Sequence, residues 1–417
     1  MPKIFLTLRL YCAYTFIMKE FKLYKKINPL IFYPVKFISK LFCKFALNLK
    51  ITGKEFKSDG RKKIIIFNHE SVYDFMVAYS VVPQKMHLVA SNAFVRTLPF
   101  QSGVKSCGII GKNQFSTSIS DMKKMKAVLD DNNVLGLFPA GLMPEAGVAT
   151  PTPLATAKTL KWFGVDIYVC KIRGTYFIKP KWSKIFRKGK CFAKLYRLAT
   201  AEEFSSLSQE EASNLIEKHV YFDAYRNNLE DKTEYKNGDN IEGLENVLYK
   251  CPNCGSEYTI NSNKNVLTCS NCGYSVKSNK LGLLHINSNF PLHFSMVSDW
   301  HAFIEKSVYE KIKSNPNYTL STQAKIHKIN DKKHKFEEVG YGEVTLDKTN
   351  FTIDGVLFNK PFKKEIFAGN FPILPFVPGK RFEIQDGNDI YRIYPEKPER
   401  AMEFIFAVKS IFKLHHE

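Results

Sequence analysis

The chain has 417 residues, of which 44% are hydrophobic, and a formal net charge of +21. This length predicts two to four domains of roughly 100–200 residues each, and the composition excludes a disordered or fibrous protein. The positive charge indicates an anionic partner, which could be nucleic acid, an anionic membrane or a phosphorylated substrate. Of the nine cysteines, four form two CxxC pairs and the other five are scattered. This pattern favours reduced thiols and a cytosolic setting over a disulfide framework.

Two uncharged apolar runs lie near the N-terminus, at residues 10–18 and 27–35. A membrane-spanning helix needs about 20 predominantly apolar residues, and neither run is that long. The first run is followed by Lys19 and Glu20, not by a small-residue cleavage site. The sequence therefore predicts neither a cleaved signal peptide nor a spanning helix.

The segment at residues 35–49 carries Lys36, Lys40 and Lys44 at intervals of four, with apolar side chains between them. On a helix the lysines would share one face, as in a helix that lies in the plane of a membrane. Each lysine near an anionic surface contributes about 1 kcal/mol of attraction. The alternative is a terminal helix packed on the core with a solvated lysine edge. We favour the first interpretation and predict that residues 1–50 associate peripherally or monotopically with the cytoplasmic face of a membrane.

Residues 51–225 alternate between predicted strands and helices. Short apolar runs in RKKIIIF, NVLGLFP and VDIYVCKIRG are typical of buried strands. Helical patterns occur in SISDMKKMKAVLDDN, in TPLATAKTLKWFG and across residues 201–218. This alternation predicts an α/β domain with a mainly parallel sheet.

A polar segment at 226–246 is predicted to be a linker to a small cysteine module at 247–279. In this module Cys251 and Cys254 form one CxxC pair, Cys269 and Cys272 form another, and glycine follows each pair. The pattern is typical of a zinc ribbon, in which four thiolates hold a structural zinc ion tetrahedrally. A redox dithiol is the alternative, but one CxxC would suffice for it.

Residues 280–417 read as about six strands followed by a helix that begins near Pro398. Turns are predicted at the Asp-Gly pair 354–355 and at 385–389. The arrangement resembles, in topology only, a pleckstrin-homology-like or GRAM-like barrel. A generic α+β accessory domain is equally compatible with the sequence.

The stretch NHESVYD directly follows the first predicted strand of the α/β domain. His69 would therefore lie at the carboxyl edge of the sheet, where such folds bind ligands. Ser71 could cap the next helix and put Asp74 in its first turn. The carboxylate could then orient the imidazole, leaving its other nitrogen to act as a general base. The alternative is a loop histidine beside an aspartate that interacts with the helix dipole.

Two further segments could bind an anion. LFPAGLMPEAG at 137–147 follows another strand, and its turn could expose backbone N–H groups, although such loops are common. Residues 171–190 contain eight lysines and arginines, including Arg173. They could form a phosphate, coenzyme or headgroup surface, or simply a solvated face.

The order of these blocks, across about residues 35–200, resembles the glycerophospholipid acyltransferase family, especially its 1-acyl-glycerol-3-phosphate acyltransferase branch. Asn68, His69, Ser71 and Asp74 fit the family's NHxSxxD block. Lys112, in CGIIGKN, is a candidate for the position of the family's intermediate arginine.

The later blocks match in part. Phe138, Pro139 and Gly141 fit an FPEGT-like block, but Ala140 stands where the family usually has glutamate. Glu145 is close enough in sequence to substitute for it. In the last block Cys170 stands where proline is usual, four residues before Gly174.

The resemblance implies an acyltransferase that moves a fatty acyl group from acyl-CoA or acyl-carrier protein to a lysophospholipid, with 1-acyl-glycerol-3-phosphate as the expected acceptor. His69 would be the general base and Asp74 would orient it. Membrane lipids are expected partners, nucleic acid is not, and the oligomeric state is not predicted. The residues expected to bind substrate are Asn68, Ser71, Lys112, Phe138, Pro139, Gly141 and Arg173.

Two other interpretations remain. Ala140 and Cys170 are compatible with a catalytically inactive lipid-binding scaffold of the same fold. The net charge and the cysteine module are compatible with a zinc-ribbon protein that binds nucleic acid. The second interpretation leaves both NHESVYD and FPAG unexplained.

Overall fold

The computed structural model describes residues 23–53, 55–114 and 118–417. The apolar run at 10–18 and the first 22 residues of the predicted membrane-associating region lie outside these residues. The first described helix, α1, spans Pro29–Phe45. Its start is set by Asn28, whose side chain accepts a hydrogen bond from the Leu30 amide, and by proline in the first turn.

Helix α1 has an unusual distribution of side chains, because six large apolar residues are exposed on it beside Lys40 and Lys44. Its buried face includes Lys36, whose Nζ donates hydrogen bonds of 2.6 Å to the carbonyls of Val82 and Pro83. The predicted stripe of three lysines is therefore wrong at Lys36, while Lys40 and Lys44 are exposed. Burial, with Lys40 nearby, lowers the pKa of Lys36 to about 8. The large apolar side chains exposed on α1 are Leu30, Tyr33, Phe37, Ile38, Leu41 and Phe45.

The N-terminal domain is built on a seven-stranded sheet with the order β1-β7-β6-β2-β5-β3-β4. Strands β2 to β6 are parallel, while β7 is antiparallel to β6 and pairs in parallel with β1. The prediction of an α/β domain with a mainly parallel sheet is confirmed. The strands are β1 (Leu49–Thr52), β2 (Lys63–Phe67), β3 (Met86–Ser91), β4 (Ile109–Lys112), β5 (Val134–Leu137), β6 (Ile167–Arg173) and β7 (Cys191–Ala199).

Nine helices follow α1 in the part of this domain that the structure describes. The single helix predicted at 201–218 is two helices, because Thr200 and Ser208 each begin a capping box, with Glu203 and Glu211 respectively. The helices are α2 (Asp74–Val81), α3 (Asn92–Thr97), α4 (Gln101–Ser106), α5 (Ile119–Asp130), α6 (Ala155–Phe163), α7 (Thr175–Ile178), α8 (Ala201–Ser206), α9 (Gln209–Val220) and α10 (Ala224–Asp231).

The segment at 226–246 differs from the linker that its polarity predicts. Helix α10 extends into it, and Tyr235, Ile241 and Leu244 are buried in the main apolar core. Widely spaced apolar residues are enough to anchor the segment, while the polar residues between them remain near solvent.

The cysteine module forms a four-stranded antiparallel sheet with the order β11-β10-β9-β8. It extends past the predicted boundary at residue 279, because β11 ends at Ile286. An unpredicted helix, α11 (Val297–Ser314), packs on the module through Trp300, whose Nε1 donates to the Lys250 carbonyl at 2.9 Å. The strands are β8 (Ile260–Asn263), β9 (Val266–Cys269), β10 (Ser275–Ser278) and β11 (Leu284–Ile286).

The C-terminal region contains a second seven-stranded sheet, entirely antiparallel, with the order β15-β14-β13-β12-β18-β17-β16. The final helix, α12 (Ala401–His416), follows a 3-10 turn at Pro398–Arg400 and buries ten of its sixteen residues. The strands are β12 (Thr319–Asn330), β13 (Lys335–Asp347), β14 (Asn350–Leu357), β15 (Lys360–Phe367), β16 (Phe376–Val377), β17 (Arg381–Asp386) and β18 (Asp389–Pro395).

The Asp-Gly pair at 354–355 is not a turn but lies inside β14. Gly355 pairs with Gly342 of β13, and a Cβ at Gly355 would lie 2.3 Å from the Tyr341 carbonyl oxygen. The glycine is thus needed for close approach of two strands. The chain turns instead at Phe358 and Asn359, whose φ angles of 53° and 60° suit a two-residue hairpin.

Candidate active site

The predicted site residues follow parallel strands that end at one edge of the N-terminal sheet. His69 follows β2, Phe138 follows β5, and Arg173 and Lys112 end β6 and β4. Because β2 lies between β6 and β5, the loops after those two strands flank His69. The end of β4 is farther away, since β3 separates it from β5.

His69 and Asp74 form a hydrogen-bonded pair at this edge. The imidazole Nδ1 lies 2.9 Å from Asp74 Oδ2, and the His69 side chain is 21% exposed while Asp74 is fully buried. Because the carboxylate accepts this bond, Nδ1 carries the hydrogen and Nε2 is left with a lone pair. Nε2 makes no hydrogen bond to any other residue that the structure describes. The pair therefore has the geometry that a general base requires.

Further hydrogen bonds fix the Asp74 carboxylate. Oδ2 also accepts from the amides of Glu70 at 2.6 Å and Ser71 at 2.8 Å, and Oδ1 accepts from Thr175 Oγ1 at 2.6 Å. The tight turn between β2 and α2 supplies the amides, whereas Thr175 is the first residue of α7, which follows β6. These bonds hold one carboxylate orientation and thus one imidazole orientation.

Asn68 and Ser71 were predicted to bind substrate, but both are engaged within the protein. The Asn68 amide donates to the Ile172 carbonyl at 2.8 Å and accepts from the Ile172 amide at 2.6 Å. Ser71 Oγ accepts from the Tyr73 amide at 3.3 Å, and it does not cap α2, whose N-cap residue is Tyr73. Both side chains are at most 2% exposed, so they shape the loop around His69.

The FPAG turn forms one wall of the site. The Phe138 ring packs on the His69 imidazole with a centroid distance of 4.6 Å, and on Phe67 at 5.2 Å. The turn closes through the Gly141 amide, which donates to the Phe138 carbonyl at 3.0 Å. Gly141 has a φ of +68°, and Pro139 lies between the two bonded residues. An apolar wall of this kind limits water around Nε2.

Arg173 does not face the dyad. Its guanidinium binds Glu230 at 2.9 Å, Asp231 at 3.0 Å and the Asn227 carbonyl at 2.8 Å, all on α10. Three acceptors thus engage the Arg173 side chain within the protein, and its contact with substrate stays a prediction. Lys112 lies at the end of β4, where its Nζ donates to the Asn113 carbonyl at 3.1 Å and burial lowers its pKa.

Glu145, which the sequence offers as a substitute for a glutamate at position 140, is engaged within the protein. Its side chain is 5% exposed and pairs with His301 of α11 at 3.1 Å and Lys409 of α12 at 3.4 Å. Burial alone would raise the pKa of Glu145, but the charges of Lys409 and His301 hold it well below its usual range. Glu145 thus ties the loop after FPAG to the C-terminal helices.

Glu70 and Thr175 were not singled out from the sequence. Glu70 is 2% exposed, and its Oε2 accepts from the Tyr176 amide at 3.1 Å and lies 3.3 Å from Thr175 Oγ1. Burial, aided by the nearby Asp74 charge, raises the pKa of Glu70 to about 8. For Glu70, the available sequence signal was its position inside NHESVYD. For Thr175, the only signal was its position directly after Gly174.

We expect Glu70→Gln to stabilise the protein at alkaline pH. The unfolded chain loses the Glu70 proton near pH 4.5, whereas the folded protein retains it to about pH 8. Wild-type stability should therefore fall as pH rises between these values because of Glu70, and this contribution should level off above pH 8. The free energy of unfolding of the variant should exceed that of wild type by up to roughly 4 kcal/mol at pH 8.

Urea unfolding of both proteins at pH 4.5, 6 and 8 measures this difference. The exposed carboxyl of Glu210 provides a matched control, since Glu210→Gln should shift stability by less than about 0.5 kcal/mol at each pH. A pH-independent difference between Glu70→Gln and wild type would contradict the expected titration.

The four CxxC cysteines meet at one end of the cysteine module. Their sulfurs all lie within 4.8 Å of one another, and Cys251–Cys272 and Cys254–Cys269 are each separated by 3.8 Å. A tetrahedral ion with Zn–S bonds of about 2.3 Å requires sulfurs about 3.8 Å apart, whereas a disulfide requires about 2 Å. The donor set thus fits a closed zinc site better than a dithiol redox pair.

Comparison with known proteins finds one family model that is similar to part of the chain. Residues 48–163 match the family model described as Acyltransferase, which includes His69, Asp74 and the FPAG turn. No curated protein matches the chain. A solved structure, the 1-acyl-sn-glycerophosphate (LPA) acyltransferase PlsC from Thermotoga maritima, is 20% identical, with a TM-score of 0.39, over 45% of this chain and 76% of that chain.

Proposed function

We propose that the protein transfers a fatty acyl group from the thioester of acyl-CoA or acyl-carrier protein to a lysophospholipid hydroxyl, with 1-acyl-glycerol-3-phosphate as acceptor. The observation that carries the proposal is the 2.9 Å contact between His69 Nδ1 and Asp74 Oδ2. The imidazole packs on the Phe138 ring, and its Nε2 makes no hydrogen bond to the residues that the structure describes. The acyltransferase family model over residues 48–163 supports the reaction class.

The proposed reaction needs no covalent enzyme intermediate. His69 Nε2 removes the proton from the acceptor hydroxyl as its oxygen attacks the thioester carbon, and Asp74 stabilises the imidazolium that forms. The carbon–sulfur bond then breaks, and the imidazolium returns the proton to the departing thiolate. The products are an acylated lipid and a free thiol, and His69 is again neutral.

Acceptor choice is tested with a labelled acyl donor and a panel of lysolipids. Product from 1-acyl-glycerol-3-phosphate would establish the proposed acceptor and show that Ala140 is compatible with its use. Product from a different lysolipid alone would refute the acceptor while retaining the reaction class. No product with any acceptor, together with retained lipid binding, would favour an inactive scaffold.

We propose that α1 rests in the membrane interface beside the dyad. A surface helix in a soluble protein normally turns its apolar side chains inward, but α1 exposes Leu30, Phe37 and Phe45 at 85%, 61% and 71%. Phe42, on the same helix, lies 5.3 Å from the ring of Tyr73, which directly precedes Asp74. Among the described residues no helix is long and apolar enough to cross a bilayer.

Replacing Phe37, Ile38 and Phe45 together by serine should abolish sedimentation with anionic phospholipid vesicles. Each large side chain withdrawn from water contributes roughly 1.5–3 kcal/mol, so the triple variant should bind at least 100-fold more weakly. Serine at Leu154 and Trp162, which are equally exposed on another surface, is the matched control and should leave binding unchanged. Equal sedimentation of both variants would refute the role of α1.

We also propose a structural role for zinc bound by Cys251, Cys254, Cys269 and Cys272.

The C-terminal sheet and α12 support a pleckstrin-homology-like accessory domain. The four consecutive strands β12 to β15 are joined to the three strands β16 to β18 through the pairing of β12 with β18, and a final helix packs against the sheet. The cytoplasmic face of the membrane is the proposed location, consistent with cysteines that form no disulfide among the described residues.

A further inference from the structure

The first residue of α7, Thr175, places one hydroxyl directly behind the dyad. Thr175 Oγ1 donates a 2.6 Å hydrogen bond to Asp74 Oδ1, and both side chains are fully buried. We propose that Thr175 is a positioning residue for the His69–Asp74 dyad, and that Glu70 in turn holds the Thr175 hydroxyl. This inference rests on the proposed acyl transfer.

Thr175 donates to Oδ1 of Asp74, the carboxylate oxygen that receives no backbone amide from the turn before α2. Oδ2 receives the amides of Glu70 and Ser71 and the His69 contact, whereas Oδ1 receives Thr175 Oγ1. Rotation about the Cβ–Cγ bond of Asp74 would move Oδ2 away from Nδ1. A short bond to Oδ1 from the start of α7 opposes this rotation, because hydrogen bonds to a charged acceptor are strong.

Glu70 completes the arrangement when its carboxyl is neutral. Its Oε2 lies 3.3 Å from Thr175 Oγ1, so a protonated carboxyl can donate to Thr175 and leave the threonine hydrogen for Asp74. Burial favours the neutral form and raises the pKa of Glu70 to about 8. The result is a network in which Glu70 donates to Thr175, and Thr175 and His69 both donate to the Asp74 carboxylate.

Gly174 allows this geometry. It has a φ of +90°, and a Cβ there would lie 2.6 Å from Tyr235 Oη and 2.9 Å from the Lys190 carbonyl oxygen. Glycine is thus required where the chain turns sharply from β6 into α7, and this turn directs Thr175 towards Asp74. Gly174, the glycine of the last sequence block, therefore contributes to the site by setting the backbone turn that precedes Thr175.

Kinetics of Thr175→Val and Thr175→Ser test the positioning role. Valine keeps the shape but removes the hydroxyl, so kcat should fall roughly 10- to 100-fold with KM unchanged. Serine keeps the hydroxyl and should restore kcat to within about threefold of wild type. Thr322→Val, at a buried threonine in β12, is the matched control and should not change kcat. Wild-type kcat in Thr175→Val, or equal losses in the valine and serine variants, would overturn the proposal.

A spectroscopic measurement decides the question independently of turnover. In protein labelled with ¹⁵N at histidine, the Nδ1 proton of His69 should give a downfield proton signal because it is bonded to a carboxylate. We expect this signal to weaken or move upfield in Thr175→Val and to return in Thr175→Ser. An unchanged signal in folded Thr175→Val, or in folded Thr175→Ala if valine prevents folding, contradicts the proposal. Absence of acyl transfer by wild type would instead refute the proposed function.

Discussion

His69→Ala should lower kcat for acyl transfer by at least about 100-fold and leave the protein folded. General-base catalysis contributes roughly 10²–10⁴-fold, and only Nε2 of His69 is both oriented by Asp74 and free of hydrogen bonds to the described residues. The side chain is 21% exposed, so its removal leaves only a small cavity. Circular dichroism and a lysolipid assay with labelled acyl donor measure the two quantities.

A control variant at another histidine shows whether the loss of activity is specific to His69. His285 is exposed on β11, and His285→Ala should retain wild-type kcat. Asp74→Asn should also lower kcat, since the side chain loses the charge that stabilises the imidazolium, and its amide nitrogen would replace the acceptor of Thr175 even if its oxygen kept the contacts of Oδ2. Retained turnover in folded His69→Ala would refute the dyad as the source of catalysis.

Removal of zinc should unfold the cysteine module. Structural zinc contributes an apparent ~10–16 kcal/mol to the folding of small metal-dependent domains. We expect elemental analysis to find one zinc per chain, and Cys269→Ser or a strong chelator to release it. Cys107→Ser, outside the four-cysteine cluster, is the control and should retain the metal.

Unfolding of the cysteine module should also destabilise α11 and α12, which contact it. Tyr258 of the module donates to Glu403 of α12 at 2.7 Å, and Trp300 of α11 donates to the Lys250 carbonyl. Limited proteolysis should therefore cut metal-free protein between residues 247 and 286 and also loosen both helices. Folded, protease-resistant protein that contains no zinc would refute the metal site.

The parts of the site that could be predicted depend on short sequence separations. His69 and Asp74 are five residues apart, so a strand end and one helical turn suffice to bring them together. The CxxC pairs are local in the same sense, because each pair needs only a tight turn. Alternation of apolar runs with helical patterns likewise predicted the parallel-rich sheet, since buried parallel strands have few other compositions.

The parts that could not be predicted depend on which faces become buried. Lys36 has the spacing of an exposed lysine stripe, yet the packing of α1 on α2 turns it towards the Val82 and Pro83 carbonyls. Arg173 lies at the expected strand end but faces α10. Periodicity indicates that two residues share a face without deciding whether that face meets solvent, a carbonyl or another helix.

The sequence by itself determined the chemistry available to this protein: a histidine beside an aspartate after a buried strand, and four paired cysteines. Only the tertiary structure decided what supports that chemistry. Thr175 is 101 residues from Asp74, and Lys409 is 264 residues from Glu145. Partners so distant are brought together by strand order and by a shared apolar core, and short-range sequence patterns carry no record of either.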